Sequence, residues 1–348
     1  MNKKDLINIV DEQLKKNTQQ SLLEFNKKRI AKDKSEKKNK KVRVIDLFAG
    51  IGGIRIGFES VFNNIEVVFT SEIDKHAQQT YIANFGNKIN GDITKIDADK
   101  VPSHDILLAG FPCQAFSLAG LKRGFDDTRG TLFFDVARIA ALHRPSVIFL
   151  ENVKGFKNHD KGRTFQIVRK ALEDLEYKVF AGVLNSKHFG VPQNRERIFL
   201  MCFQDQEIEF DFDKLKNIEI ESRLGDILQK NPDVKYTLSD KLWLGHQKRK
   251  ARNVSKGYGF GYSLFNEDSK YTSTISARYY KDGSEILIHQ EGINPRKLTP
   301  REAARLQGFP ENFKIPKSDV QAYKQFGNSV SVPVIQVLAN EIKKLNIF

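Results

Sequence analysis

Asp46-Leu-Phe-Ala-Gly50-Ile-Gly52-Gly53 closes the short apolar run Val42–Phe48, and its reading decides the fold. A strand that runs into a glycine-rich turn and then into a helix, here through Phe58, opens an alternating α/β sheet. Glycines let the backbone turn sharply and approach a ligand closely. The helix that follows presents unpaired N–H groups at its N-terminus. The third glycine of the dinucleotide fingerprint would fall at Arg55, which argues against a nicotinamide-type site.

The alternation continues outward from this turn. Glu66–Ile73 reads as a second strand and Lys75–Asn84 as a helix. Asp105–Gly110, Val147–Leu150, Tyr177–Leu184 and Arg197–Phe203 read as further strands, with helices at Leu132–His143 and Thr164–Leu175. Strands separated by helices predict a mostly parallel sheet with a ligand crevice at the strands' carboxyl ends. Residues 206–292 break the rhythm and are polar and rich in Gly, Lys and Tyr, so they read as a smaller, irregular or β domain. Regularity resumes near Arg296, with helices at Arg301–Gln307 and from Pro333 to Leu345. Residues 1–41 hold thirteen basic and six acidic residues and read as a basic helical N-terminal extension ending in a charge run, Lys32–Lys41.

The net charge of +14 favours a polyanionic partner through phosphate neutralisation. Two cysteines and seven scattered histidines supply neither a disulfide framework nor a metal cluster, so no metal is expected. No apolar run approaches the ~20 residues that span a bilayer. Nor does the N-terminus resemble a signal peptide, so a cytoplasmic protein without membrane contact is expected.

Chemistry-bearing residues cluster where strands end. Glu72 lies 22 residues beyond Gly50, where an acid accepts from ribose hydroxyls, and Asp92 is placed to accept from an adenine amino group. Gly110-Phe-Pro112-Cys113-Gln114 follows a strand directly. Cys113 is therefore placed for nucleophilic chemistry, whereas Cys202, inside the run Ile198–Phe203, is placed for packing. Glu151-Asn152-Val153 also follows a strand, and its carboxyl can act as an acid. In Gln193-Asn-Arg195-Glu-Arg197 the two arginines point the same way from an extended chain.

These motifs, in this order, with Arg296–Pro310 and Gln325–Val330, resemble the ordered motif set of the cytosine-C5 DNA methyltransferases. The match covers 42–203 and 294–348 and is nearest to the small restriction–modification type. The resemblance implies a Rossmann-like, S-adenosylmethionine-dependent catalytic domain formed by 42–205 and 293–348, with 206–292 as the target-recognition domain. Cys113 would attack carbon 6 of a flipped cytosine, Glu151 would hold N3 and the exocyclic amine, Arg197 would contact O2 and Arg195 would support the catalytic loop.

For the cofactor, the resemblance implies Phe48 stacked on adenine, Glu72 on the ribose and Asp92 on the adenine amine. Gly50, Gly52, Ile73, Ile93, Pro112 and Leu132 would complete the pocket, with Asn328 and Ser329 at the methionine end. The last helix must then fold back beside the first strand. Ala115–Arg129 reads as a closing loop that offers Lys122, Arg123 and Arg129 to phosphates. Lys248, Arg249, Lys250 and Arg252 form a basic cluster, and Arg278 is a candidate for reading guanine in double-stranded DNA. A monomer is expected, partnered functionally but without necessary contact by a cognate endonuclease. The competing expectations are an RNA cytosine methyltransferase and a DNA-binding repressor. The first commonly carries Pro-Pro-Cys-Gln and a Cys-Phe-Thr signature, where this chain has Phe111 before Pro112 and no Cys-Phe-Thr. The second is disfavoured because Cys113, Glu151 and Arg197 are all present.

Overall fold

Near-continuous runs of branched and aromatic residues suit strands buried on both faces. In the computed structural model, which describes residues 41–112 and 132–348, six such runs form one sheet in the order β2-β1-β3-β4-β6-β5. The strands are β1 (Val42–Leu47), β2 (Ile65–Ser71), β3 (Ile106–Gly110), β4 (Val147–Val153), β5 (Lys178–Asn185) and β6 (Glu196–Phe203). Strand β3 pairs in parallel with both β1 and β4. Strand β6 runs antiparallel to β4 and to β5, which the apolar pattern alone does not reveal. The readings made for residues 1–40 and for Cys113, Lys122, Arg123, Arg129 and the closing loop fall outside the described residues.

Helices cover both faces. Helix α1 (Gly53–Glu59) follows the glycine turn, and α2 (Lys75–Phe85) is capped by Asp74, whose side chain accepts from the amides of His76 and Ala77. Helices α3 (Leu132–His143) and α4 (Arg163–Asp174) bury Val136, Ile139, Val168 and Leu172 in one core with Ile148, Leu150 and Cys202 of the sheet. Phe149, on the opposite face of β4, meets Phe58 of α1 edge-on at 5.2 Å between ring centres.

The 206–292 stretch holds α5 (Phe212–Lys216), α6 (Asp240–Ser255) and two short strands, β7 (Leu264–Phe265) and β8 (Leu287–Ile288). These pair with β9 (Arg296–Lys297) in a small sheet. The chain ends in α7 (Pro300–Leu306), α8 (Asp319–Asn328) and α9 (Val332–Lys344). A second core joins Leu224, Ile275, Tyr279 and Ile288 to Leu298, Leu306, Phe309 and Phe326. The polar stretch thus shares its core with the segment after it.

The last helix, expected beside the first strand, packs as α9 against α1, the helix that follows that strand. Gly57 makes this possible, because a Cβ there would lie 2.5 Å from Ile335. Among the described residues no helix is long and apolar enough to cross a membrane.

Candidate active site

The strands' carboxyl ends open into a cavity of about 520 Å³. Its floor is the glycine turn after β1. Phe48 sits there at φ 55°, a conformation that a bulky side chain adopts only under constraint, and its ring lines the cavity. The constraint is a set of hydrogen bonds. The Ala49 amide donates to the Ser71 carbonyl at 3.0 Å, and the Gly50 amide to Glu72 Oε2 at 2.7 Å. Glu72 Oε1 accepts from the Asp74 amide, also at 2.7 Å. Glu72 therefore fastens the glycine turn to the start of α2, and each oxygen keeps a second lone pair for a ligand. A Cβ at Gly50 or Gly91, both cavity-lining, would meet no atom within 4 Å, so ligand atoms can approach the backbone there.

Gly50, Ile73, Ile93, Pro112, Leu132, Asn328 and Ser329 line the same cavity. Ile73 is 69% exposed and forms its rim. Gly52 is not among the lining residues. It caps α1 at φ 85° and faces inward, where a Cβ would lie 2.4 Å from the Phe85 ring. Asp92 Oδ1 accepts from the Thr94 amide and hydroxyl at 3.1 and 2.7 Å. The hydroxyl bond holds its carboxyl below the usual range. Its Oδ2 has Lys95 at 3.8 Å and remains open to a donor. Lys324, paired with Asp74 at 2.8 Å, also lines the cavity, one residue before the Gln325–Val330 motif and marked by no pattern of its own.

At the other end of the cavity lie Glu151 and Arg197. Strand register sets Val153 opposite Arg197, so Glu151, two residues back on the same face, meets it diagonally. Glu151 Oε1 and Arg197 Nε are 3.1 Å apart, with both side chains largely buried. Burial raises the Glu151 carboxyl above its ordinary range, although Arg197 and then Arg195 oppose the shift. Such a carboxyl keeps its proton at higher pH and can donate it. Between them in sequence, Asn152 is 2% exposed and donates from Nδ2 to the Phe111 carbonyl at 2.9 Å. That bond fixes the backbone two residues before Cys113. The Glu-Asn-Val motif contained Asn152, but sequence reasoning gave it no role.

Arg195 is 2% exposed, and burial pushes its guanidinium down to about 9, still cationic at neutral pH. Its described contacts are carbonyls: Ile275 and Gly327, each at 3.1 Å, and Ser329. The neighbouring Gln193 is fully buried and accepts from the Ile275 amide at 3.0 Å while donating to the Leu306 carbonyl and to Gln307 Oε1, both at 3.1 Å.

Cys202 is buried in β6, and burial pushes its thiol up, so it stays protonated and inert. The expected basic cluster divides. Arg249 pairs with Asp282 at 2.8 Å, and Lys250 lies 4.3 Å from the centre of the Tyr262 ring, while Lys248 and Arg252 are exposed. Arg278 is exposed on a turn away from the cavity lining. Among the described residues no group of three His, Cys, Asp or Glu side chains is arranged to hold a metal.

Comparison with known proteins agrees with this geometry. The model of the family described as C-5 cytosine-specific DNA methylase matches residues 42–344. The type II methyltransferase M.NlaX of Neisseria lactamica is 60% identical over 302 residues, covering 86% of this chain and 96% of that one. M.HhaI of Haemophilus parahaemolyticus is 41% identical over 315 residues, covering 86% and 94%. Among solved structures, the Dnmt2 methyltransferase of S. pombe superposes with a TM-score of 0.74 at 22% identity, covering 88% of this chain and all of that one, a likeness of fold. The motif order, the cavity and the extent of these matches lead to one conclusion: the chain belongs to the C-5 cytosine-specific DNA methylase family.

Proposed function

We propose that this S-adenosylmethionine-dependent DNA cytosine-C5 methyltransferase acts on one short duplex sequence by covalent catalysis from Cys113, with Glu151 and Arg197 holding the flipped base. The buried Glu151–Arg197 pair carries the reading. A cytosine ring is a poor nucleophile at carbon 5. The Cys113 thiolate adds to carbon 6, and Glu151 delivers its proton to N3, so that electron density is pushed to carbon 5. Arg197 stabilises charge that develops at O2. S-adenosylmethionine supplies the methyl group when bound. Loss of the carbon-5 proton then expels the Cys113 thiolate, and return of the N3 proton to Glu151 restores the neutral ring and the acid. The base must leave the duplex stack, because carbon 6 is shielded within it.

The cavity suits this cofactor by its size, its open approach at Gly50 and Gly91, and Asp92 Oδ2, which has Lys95 at 3.8 Å and room for a further donor. Phe48 would stack on the adenine, Glu72 would take ribose hydroxyls, Asp92 the adenine amine, and Asn328 and Ser329 the methionine end. We assign target selection to residues 206–292, with Arg278 at the DNA, and phosphate contacts to Lys122, Arg123 and Arg129. The type II relatives support a role in DNA methylation. To this we add a monomeric, cytoplasmic enzyme that protects DNA from a cognate endonuclease without necessary contact. The test is methyl transfer from labelled cofactor to duplex DNA, with trapping on 5-fluorocytosine. Cys113→Ser should lose both, and Cys202→Ser should keep both. Normal turnover by Cys113→Ser would overturn the mechanism.

A further inference from the structure

The last turn of α8, Phe326–Asn328, and Ser329 beyond it are squeezed between two parts of the molecule. On one side is the glycine turn of the cavity: a Cβ at Gly53 would lie 2.6 Å from Ser329 Oγ. On the other side is the backbone of Ser276 and Ala277: a Cβ at Gly327 would lie 2.3 Å from the Ser276 carbonyl and 2.4 Å from the Ala277 nitrogen. Contact there is backbone to backbone, with no side chain to absorb a shift.

Arg195 locks the arrangement. One arm of its fork donates to Ile275 and the other to Gly327 and Ser329, the residues that bracket cavity-lining Asn328. A guanidinium is planar and rigid, so its two arms cannot move independently. The 272–275 segment is tied to the Gln193–Arg195 stretch by further bonds. The Asn194 amide donates to the Thr272 carbonyl at 2.9 Å, and Thr274 Oγ1 to the Asn194 carbonyl at 2.6 Å. From the far side, Gln307 Nε2 donates to the Phe326 carbonyl at 2.7 Å and its Oε1 accepts from Ser331.

We propose that Arg195 and Gly327 are positioning residues that register the 272–277 backbone against the cofactor wall at Asn328 and Ser329, so that DNA seated on the recognition segment tightens the cofactor site. The inference rests on the reading of the cavity as the cofactor site and of 206–292 as the DNA-selecting segment. Linkage makes the effect reciprocal: cofactor must tighten DNA by the same factor.

The experiment titrates S-adenosylhomocysteine into the full-length protein by calorimetry. It is done with and without a duplex carrying the site found by bisulfite sequencing, and each variant's melting temperature is recorded. Wild type should bind S-adenosylhomocysteine at least about five-fold more tightly with the duplex. Arg195→Lys keeps the charge but loses the fork, and should bring that ratio towards one. Thr274→Val touches nothing in the cavity. It should leave affinity without DNA unchanged and still reduce the ratio, a split that a purely structural role would not produce. A wild-type ratio of one, or wild-type ratios in Thr274→Val and in folded Arg195→Lys, would overturn the proposal. Absence of S-adenosylhomocysteine binding by wild type would instead remove the reading of the cavity, and the proposal with it.

Discussion

The Glu151 carboxylate and the Arg197 guanidinium lie 3.1 Å apart on the same face of two antiparallel strands, buried at one end of the cavity. Replacing the carboxyl by a look-alike should therefore cost activity. Glu151→Gln keeps a hydrogen-bond donor but has no transferable proton, and should lower kcat by about 10²–10⁴ with melting temperature little changed. Single-turnover methylation checks this.

The same carboxyl predicts a pH profile. Burial raises its pKa, so the proton-donating form persists further toward neutrality and is lost as pH climbs through the raised value. Wild-type kcat should fall on that alkaline side. Glu151→Gln should show a flat residual rate across the same range.

Glu72 is predicted to act through the glycine turn as much as through a ligand. Both of its oxygens hold backbone amides, and an amide side chain can accept on only one of its two atoms. Glu72→Gln should therefore weaken S-adenosylhomocysteine by about ten-fold, in keeping with the ~1.5–3 kcal/mol of a charge-assisted hydrogen bond. Calorimetry would show an unchanged affinity if Glu72 were a surface charge.

Two buried groups set opposing pH dependences of stability. Asp46 is pushed up to about 7 by burial, against the attraction of Arg55, so the folded state binds its proton more tightly than the unfolded chain. Its contribution to stability is fullest at acid pH and falls as pH rises from about 4 to about 7. His104, beside His143 and Asp105, is pushed down to about 4 by burial, and its contribution is lost as pH falls from 6.5 to about 4. The two slopes offset one another below pH 6.5. Asp46→Asn should expose the His104 slope alone, with stability rising steeply from pH 4 to 6.5 and then levelling. Urea titrations across that range are the check.

The α1–α9 contact predicts a packing limit. A Cβ on Gly57 would overlap Ile335 at 2.5 Å in a rigid helix pair. Gly57→Ala should cost about 1–3 kcal/mol in urea unfolding, and pairing it with Ile335→Ala should recover part of the loss.

Much of this was legible in the residues. The central strands carry short apolar runs such as Ile106–Ala109, Val147–Leu150 and Ile198–Phe203, and motifs flank those runs. Strand direction was not legible, because β6 reads the same parallel or antiparallel until its partners are known. Helix α6 was missed for a physical reason: its buried residues are His246 and Asn253, so it shows no apolar stripe. Asn152 and Gln193 sat inside recognised motifs, but their partners, the Phe111 carbonyl and Gln307, are distant in sequence. Arg195 kept its place in the motif, while its described contacts run to Ile275 and to the end of α8 at Gly327 and Ser329, destinations that no local pattern encodes.

Gly327 has a further consequence, for exchange of specificity between related enzymes. Its contact with Ser276 and Ala277 involves main chain alone, so it constrains path and not composition. If 206–292 selects the DNA as proposed, a transplanted segment should be free to change its exposed side chains, provided its backbone crosses position 327 on the same track. On the proposed reading of 206–292, graft compatibility therefore depends on this backbone crossing as well as on the shared core of Ile275, Tyr279 and Ile288 with Leu298 and Phe326. A donor with an extra residue at the crossing should lower methyl transfer.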